Sequence, residues 1–226
     1  MAEQNKRMRI AIDGPAGAGK STVAREVANR LKLKYLDTGA MYRAITLKVH
    51  RTATDLDNHD ALANLLTHTK IKIDQDNRVF LDGEDVTDEI RMAHVNSLVS
   101  PVSCISQVRR HLVVLQQKIA DQSGRIIMEG RDIASRVMPD ADYKIYLDAS
   151  IEERARRRSL EMTAKGHEVD IKQVEEEIRN RDKIDSNRAD SPLTLVDDAI
   201  IIDTTGMTFD EVVAQIVNEV TTGVAE

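Results

Sequence analysis

Cysteine occurs once in the 226 residues, at Cys104. An internal disulfide is therefore excluded, and a reducing compartment is the natural setting. The thiol reads either as a small apolar filler or as a nucleophile. No apolar run approaches the length of a membrane span, and no secretory leader precedes the first predicted strand. The expectation is a cytoplasmic protein with no membrane partner, its charged start (Met1 to Arg9) being a frayed terminus. A basic excess is also missing, with 32 Lys and Arg against 38 Asp and Glu, for a net charge of −6. A broad nucleic-acid surface needs a basic face, so no nucleic-acid partner is expected. Repeats and low-complexity tracts are lacking too. What remains, 41% hydrophobic and 31% charged, is an ordinary globular composition, long enough for one full core or one core with an insertion.

Against these absences stands one complete motif. Gly14-Pro15-Ala16-Gly17-Ala18-Gly19-Lys20-Ser21 matches G-x-x-x-x-G-K-[ST], follows the apolar Ile10-Ala11-Ile12 and opens into a helical pattern from Thr22. Glycines let the backbone wrap a polyphosphate, and successive N–H groups with a helix N-terminus supply positive dipole ends. Lys20 can reach the β- and γ-phosphates, and the Ser21 hydroxyl can sit on Mg²⁺. The acidic helper of that ion is Asp13 or Glu129. The motif predicts a nucleoside triphosphate site with Mg²⁺, formed by residues 14–22.

Apolar runs at Arg9–Ile12, Tyr35–Leu36, Arg125–Met128, Tyr143–Leu147 and Ala199–Ile202 alternate with helical patterns. This predicts an α/β fold, a P-loop NTPase-type parallel sheet flanked by helices, with ligand at the carboxyl ends of the strands. Ser150–Glu153 and Thr208–Glu211 read as capping boxes that start helices. One segment breaks the alternation. Residues 70–74, 78–81 and 84–86 alternate polar and apolar side chains, with Asp76-Asn77 and Asp82-Gly83 as turns. They predict a small antiparallel insertion over residues 62–95, either decorative or a subdomain that closes over a second ligand.

Arg154, Arg156, Arg157 and Arg158 crowd four cations into five positions of a predicted helix. A solvated helix face is one reading. The other is a mobile Arg-rich helical lid, residues 151–184, whose arginines neutralise a transferring phosphoryl group, with Lys165-Gly166-His167 as its hinge. Arg181, Asp185 and Arg188 share a helical face, as an ion-pair stripe or as a grip on a sugar hydroxyl and a phosphate.

Two further words follow strands: Asp37-Thr38-Gly39-Ala40-Met41-Tyr42-Arg43 and Glu129-Gly130-Arg131-Asp132. With the glycine-rich loop and Arg181…Asp185…Arg188, their order along nearly the whole chain resembles the bacterial cytidylate kinases, of the nucleoside monophosphate kinase family. The inserted meander is itself a mark of that family. The resemblance implies a single P-loop kinase domain over residues 1–226, an insertion that serves as the NMP-binding subdomain, and transfer of the γ-phosphoryl group of ATP to CMP or dCMP in pyrimidine metabolism. It implies a monomer. Thr38, Arg43, Arg131 and Arg188 match the family's ligands of the monophosphate. Ser100, Arg109 and Asp132 match its readers of the cytosine edge, and Arg181 and Asp185 its holders of the pentose. Ser100 lies among Ser97, Ser103 and Ser106, a register neighbours could share. After Asp132 the chain continues Ile133-Ala134-Ser135-Arg136, where many members carry Gly-Thr.

Catalysis is then expected from in-line positioning and charge neutralisation by Lys20, Mg²⁺, Arg131, Arg157 and Arg158, with no strong general base. The alternatives are a P-loop kinase acting on UMP, AMP or a shikimate-like acceptor, or a nucleotide switch. No Asn-Lys-x-Asp word for guanine is present.

Overall fold

The chain runs β1 (Met8–Asp13), α1 (Lys20–Leu31), β2 (Lys34–Asp37), α2 (Thr38–Thr52), α3 (His59–His68), β3 (Ile71–Ile73), β4 (Val79–Leu81), β5 (Glu84–Asp85), α4 (Ala93–Cys104), α5 (Ser106–Ser123), β6 (Arg125–Glu129), β7 (Tyr143–Asp148), α6 (Ile151–Ala164), α7 (Ile171–Asn187), β8 (Ile200–Asp203) and α8 (Phe209–Thr222). This computed structural model describes residues 7–164, 166 and 168–222. Residues 1–6 of the charged start, and Lys165 and His167 of the expected hinge, lie outside them.

All five strands expected from apolar runs form, in one parallel sheet of order β2-β6-β1-β7-β8. Side chains alternate across it, as the pleat requires. Ala11, Leu36, Ile126 and Met128 face a core shared with α2, α3, α4 and α5. Ile10, Ile12, Ile127, Ile145 and Leu147 face the opposite core, against α1 and α8. Both faces are covered, which is why these strands read as continuous apolar runs. Every strand of this sheet ends on an acid: Asp13, Asp37, Glu129, Asp148 and Asp203. No helix among the described residues is long and apolar enough to cross a membrane.

The insertion forms as a three-stranded antiparallel sheet, β3-β4-β5. Asp82 and Gly83 both have positive φ, 53° and 95°, the backbone of a tight hairpin turn. Val79, Leu81 and Val86 pack with Ala40, Ala44 and Leu47 of α2. Lys48 pairs with Asp82 at 2.6 Å and Arg51 with Glu84 at 2.7 Å. The small sheet is thereby fastened to α2 rather than hung on a loop.

The two expected capping boxes differ. Thr208 and Glu211 cap reciprocally: the Thr208 N–H donates to Glu211 at 2.8 Å and the Glu211 N–H to the Thr208 hydroxyl at 3.3 Å. At Ser150 only the second of these forms, the Glu153 N–H donating to the Ser150 hydroxyl at 3.2 Å. The Glu153 carboxylate turns instead to Arg156 and Arg157, each at 2.8 Å, and these hold it well below the usual carboxylate range, at about 2. The cationic helix has claimed its own capping residue.

Candidate active site

The glycine-rich loop joins β1 to α1 beneath the carboxyl edge of the sheet. Gly14 has φ +149°, and a Cβ there would lie 2.0 Å from the Leu147 carbonyl oxygen of β7. No side chain fits at this crossing. Gly19 begins α1 without a side-chain cap, leaving the helix N-terminal amides facing the loop's interior. Lys20 is buried and its Nζ donates to the Pro15 carbonyl at 2.6 Å, so the side chain curls back over the loop. Burial lowers its pKa, the charge of Arg131 lowers it further, and Glu129 opposes both.

The two candidate acids have different neighbours. The Asp13 carboxylate accepts the backbone N–H groups of Ile133 at 3.0 Å and Ala134 at 2.8 Å. Burial raises it to about 6 against those two bonds. It ties β1 to a single π-type turn, Ile133–Val137. Glu129 instead faces the loop: its Oε1 accepts from the Ser21 hydroxyl at 2.5 Å and from Tyr35 at 3.3 Å. Burial pushes its carboxyl up, while Lys20 and the Ser21 bond hold it down. Among the described residues no three His, Cys, Asp or Glu side chains cluster as metal ligands. Hard oxygen donors from Ser21 and Glu129 suit Mg²⁺, which commonly takes one or two protein oxygens and fills the rest with water and phosphate.

A cleft of about 480 Å³, counted out to solvent, opens beside the loop. Of the residues expected to hold an acceptor, Thr38, Arg43, Arg109, Arg131, Asp132, Arg181 and Arg188 line it. Asp185 stands behind them, accepting from Arg131 at 2.8 Å and from Arg188 at 3.1 Å. Ser100 does not line the cleft. One helical turn on, Ser103 does, with its hydroxyl turned to the Ser100 carbonyl at 3.0 Å. Tyr42 and Val99 also line the wall; nothing in the sequence singles them out, although Tyr42 sits inside the Asp37–Arg43 word.

The cleft floor is a buried ion pair. Arg109 donates to Asp132 at 2.6 Å and lies 5.0 Å from the Tyr42 ring centroid. Arg188 approaches the same carboxylate at 3.9 Å. Arg109 Nε, Arg188 Nη2 and the Tyr42 hydroxyl are buried with no hydrogen-bond partner. Three such atoms around one space mark where a polar ligand would be satisfied. Above them the charge is cationic. Burial lowers the Arg181 pKa to about 10, and the charges of Arg131, Arg43 and Arg158 add to that lowering. Burial lowers Arg43 too, with Arg91, Arg158 and Arg131 contributing. Cations held this close to one another favour an anion between them.

The arginine run on α6 separates by direction, since successive helical residues turn about 100°. Arg154 is buried against Ala16 and Ala149. Arg156 is exposed on Glu153. Arg157 is fixed by Glu153 and by Thr204, at 2.9 Å to its hydroxyl and 2.6 Å to its carbonyl. Its Nη1 lies 3.9 Å from where a Gly19 Cβ would stand, beside the loop. Arg158 is the member whose charge is felt at Arg43 and Arg181.

The family model described as cytidylate kinase matches residues 10–222. A cytidylate kinase of Alkaliphilus oremlandii is 51% identical over 211 residues, covering 93% of this chain and 96% of the relative. One of Desulforamulus reducens is 52% identical over 216 residues, 95% and 97% of the two chains. A solved structure of an uncharacterised protein from Eubacterium ventriosum aligns over 96% of this chain and 99% of its own, with a TM-score of 0.54 at 15% identity, a likeness of fold alone. A match of half the sequence position by position, over almost all of both chains, leaves one conclusion: the chain belongs to the cytidylate kinase family.

Proposed function

We propose that the protein transfers the γ-phosphoryl group of ATP to CMP or dCMP, giving the nucleoside diphosphate and ADP. Family membership makes it a phosphotransferase acting on a nucleoside monophosphate. The observation that carries the choice of base is the buried Arg109–Asp132 pair on the cleft floor. Asp132 can accept from an exocyclic amino group, while Arg109 donates to a carbonyl oxygen and a ring nitrogen. Uracil presents the opposite donor and acceptor order and would leave both side chains badly paired.

The monophosphate is itself the nucleophile, so positioning and charge do the chemistry. Thr38, Arg43, Arg131 and Arg188 hold the acceptor phosphate, with Asp185 orienting Arg131 and Arg188 and, with Arg181, reaching the pentose. Lys20 neutralises charge developing on the transferred group, assisted by Arg131 and Arg158. Mg²⁺ fits the hydroxyl of Ser21 with Glu129 behind it and, when bound, screens the phosphate oxygens. The Asp13 carboxylate, occupied by two amides, serves the frame instead. Residues 62–95 act as the NMP-binding subdomain and residues 151–184 as the lid. Attachment of the small sheet to α2 supports the two moving as one body over the acceptor. A free, half-buried Cys104 fits a reducing compartment, and the reading is of a cytoplasmic monomer serving pyrimidine metabolism.

Release of ADP measured with CMP, dCMP, UMP, AMP and shikimate as acceptors tests this reading. Both cytidine nucleotides should stimulate it well above the others; no preference for cytidine would sink the assignment. The split between neighbouring arginines gives a second measurement. Arg157, fixed by Glu153 and Thr204 beside Gly19 of the loop, offers a planar cation to the donor nucleotide. Arg157→Ala should therefore raise KM for ATP roughly tenfold with little change in kcat. Arg158→Ala, facing the acceptor cations, should lower kcat by about ten- to a hundredfold with CMP binding nearly retained. Equal effects on both parameters in both variants would contradict the division.

A further inference from the structure

Arg154 and Asp182 have no place in the roles above, yet they hold the donor loop. Arg154, 7% exposed on α6, donates to the carbonyls of Ala149 and Ala16, both at 2.9 Å, and to the Asp182 carboxylate. The other oxygen of Asp182, from α7, accepts the Ala16 N–H at 3.0 Å. Both polar groups of the Ala16 residue, in the glycine-rich loop, are thus taken by side chains of the two lid helices. The fit is close, for a Cβ on Gly17 would stand 3.1 Å from the Arg154 Cβ and 3.2 Å from its carbonyl oxygen.

Helix α7 also reaches the acceptor. Arg181, just before Asp182, lines the cleft. Asp185, three residues later, binds Arg131 at 2.8 Å and Arg188 at 3.1 Å. Residues three apart lie on one helical face. Successive carboxylates of one stripe therefore touch the donor loop and the acceptor cations. A lone carboxylate beside a polyphosphate would repel it, and Arg154 supplies the neutralising charge.

We propose that Asp182 is a positioning residue through which the two substrates strengthen each other's binding. The acceptor steadies α7 through Arg181 and Asp185. Helix α7 then holds Asp182 on Ala16 and Arg154, in the loop shape that wraps the donor phosphates. The inference rests on the nucleoside monophosphate kinase reading. Such coupling is reciprocal by linkage, so CMP must tighten the donor as much as the donor tightens CMP.

Calorimetric titration of the full chain with CMP and a non-hydrolysable ATP analogue, each alone and with the other saturating, reads the coupling directly. In the wild type each ligand should tighten the other about fivefold or more, the lower end of common couplings. Asp182→Ala removes the acceptor of Ala16 and the partner of Arg154, and should leave less than about twofold coupling with CMP alone bound almost normally. Asp182→Asn keeps an acceptor for Ala16 but turns its amide N–H groups toward Arg154, donor against donor, and should lose the coupling as well. Far-UV circular dichroism checks the fold, and should the alanine variant not fold, the asparagine variant decides. Unchanged coupling in the folded variants overturns the inference, as does a wild type that binds both ligands independently. Failure of CMP to bind or to stimulate ADP release takes down the kinase reading and the inference with it.

Discussion

Lys20→Met should abolish most of the activity while leaving the protein folded and about as stable as before. The ammonium is buried at the mouth of the glycine-rich loop, donates to the Pro15 carbonyl, and has the cations of Arg131 and Arg181 for neighbours. Without donor phosphates that arrangement is a liability, since a desolvated charge is costly and like charges add to the cost. A methionine of similar length removes the charge and forfeits one hydrogen bond to Pro15, a net loss of about 1 kcal/mol. Against this it relieves the crowding of three cations. The melting temperature should stay within about 4 °C of wild type, since a domain of this size shifts roughly 2–4 °C per kcal/mol. Catalysis has no such compensation. Removing one preorganised donor from a developing charge lowers turnover by about 10²–10³-fold, and a full cation in a dry site belongs at the upper end or beyond. ADP-release kinetics and a thermal melt on the same preparation check both halves. A kcat within tenfold of wild type would refute the role given to Lys20.

Asp132 should behave in the opposite way, with stability and specificity lost together. Its carboxylate is 3% exposed, and it faces Arg109 and Arg188, at 2% and 9% exposure. Asp132→Ala leaves two buried guanidinium groups short of a counter-charge, a loss of about 3–5 kcal/mol when one partner of a buried pair is removed. The melting temperature should fall by about 10 °C. On the proposed reading the variant also loses its acceptor for the cytosine amino group, so kcat/KM for CMP should drop about 10³-fold or more while that for UMP changes little. Asp132→Asn separates the two effects. The amide retains the shape and presents both a donor and an acceptor. Its N–H can meet the uracil carbonyl that the carboxylate repels, and the preference for CMP over UMP should narrow or reverse. An unchanged ratio of kcat/KM for CMP and UMP in Asp132→Asn would show that the base is read elsewhere.

What the sequence made legible follows from how local each signal is. Strands buried on both faces announce themselves as apolar runs, and the loop at Gly14–Ser21 carries its strand and helix on either side. The hairpin turn at Asp82-Gly83 needs positive φ and shows the residues that tolerate it. Four arginines on α6, by contrast, looked like one group. Helical spacing gives their relative directions but not what waits in each, and Ala16, Thr204 and Arg43 come from distant parts of the chain. Ser100 and Ser103 differ by a single turn of α4, a distinction set by how that helix rotates against the cleft. Asp13 gave no hint that its carboxylate is spent on the amides of Ile133 and Ala134, because a π-type turn leaves no periodic trace. Asp182 was one charge among many in Arg181–Arg188 until the fold brought Ala16 to it.

Helix α2 begins with Thr38, Tyr42 and Arg43 in the cleft and, two turns later, is pinned to the small sheet by Lys48, Arg51 and the apolar cluster around Leu47. Its two ends therefore work as the arms of a lever. A bound acceptor that moves the near arm would carry the far turn, Asp76-Asn77, with it, and Asp76 there is exposed. A label at that tip would sense an occupied pocket without touching a single residue that binds the nucleotide.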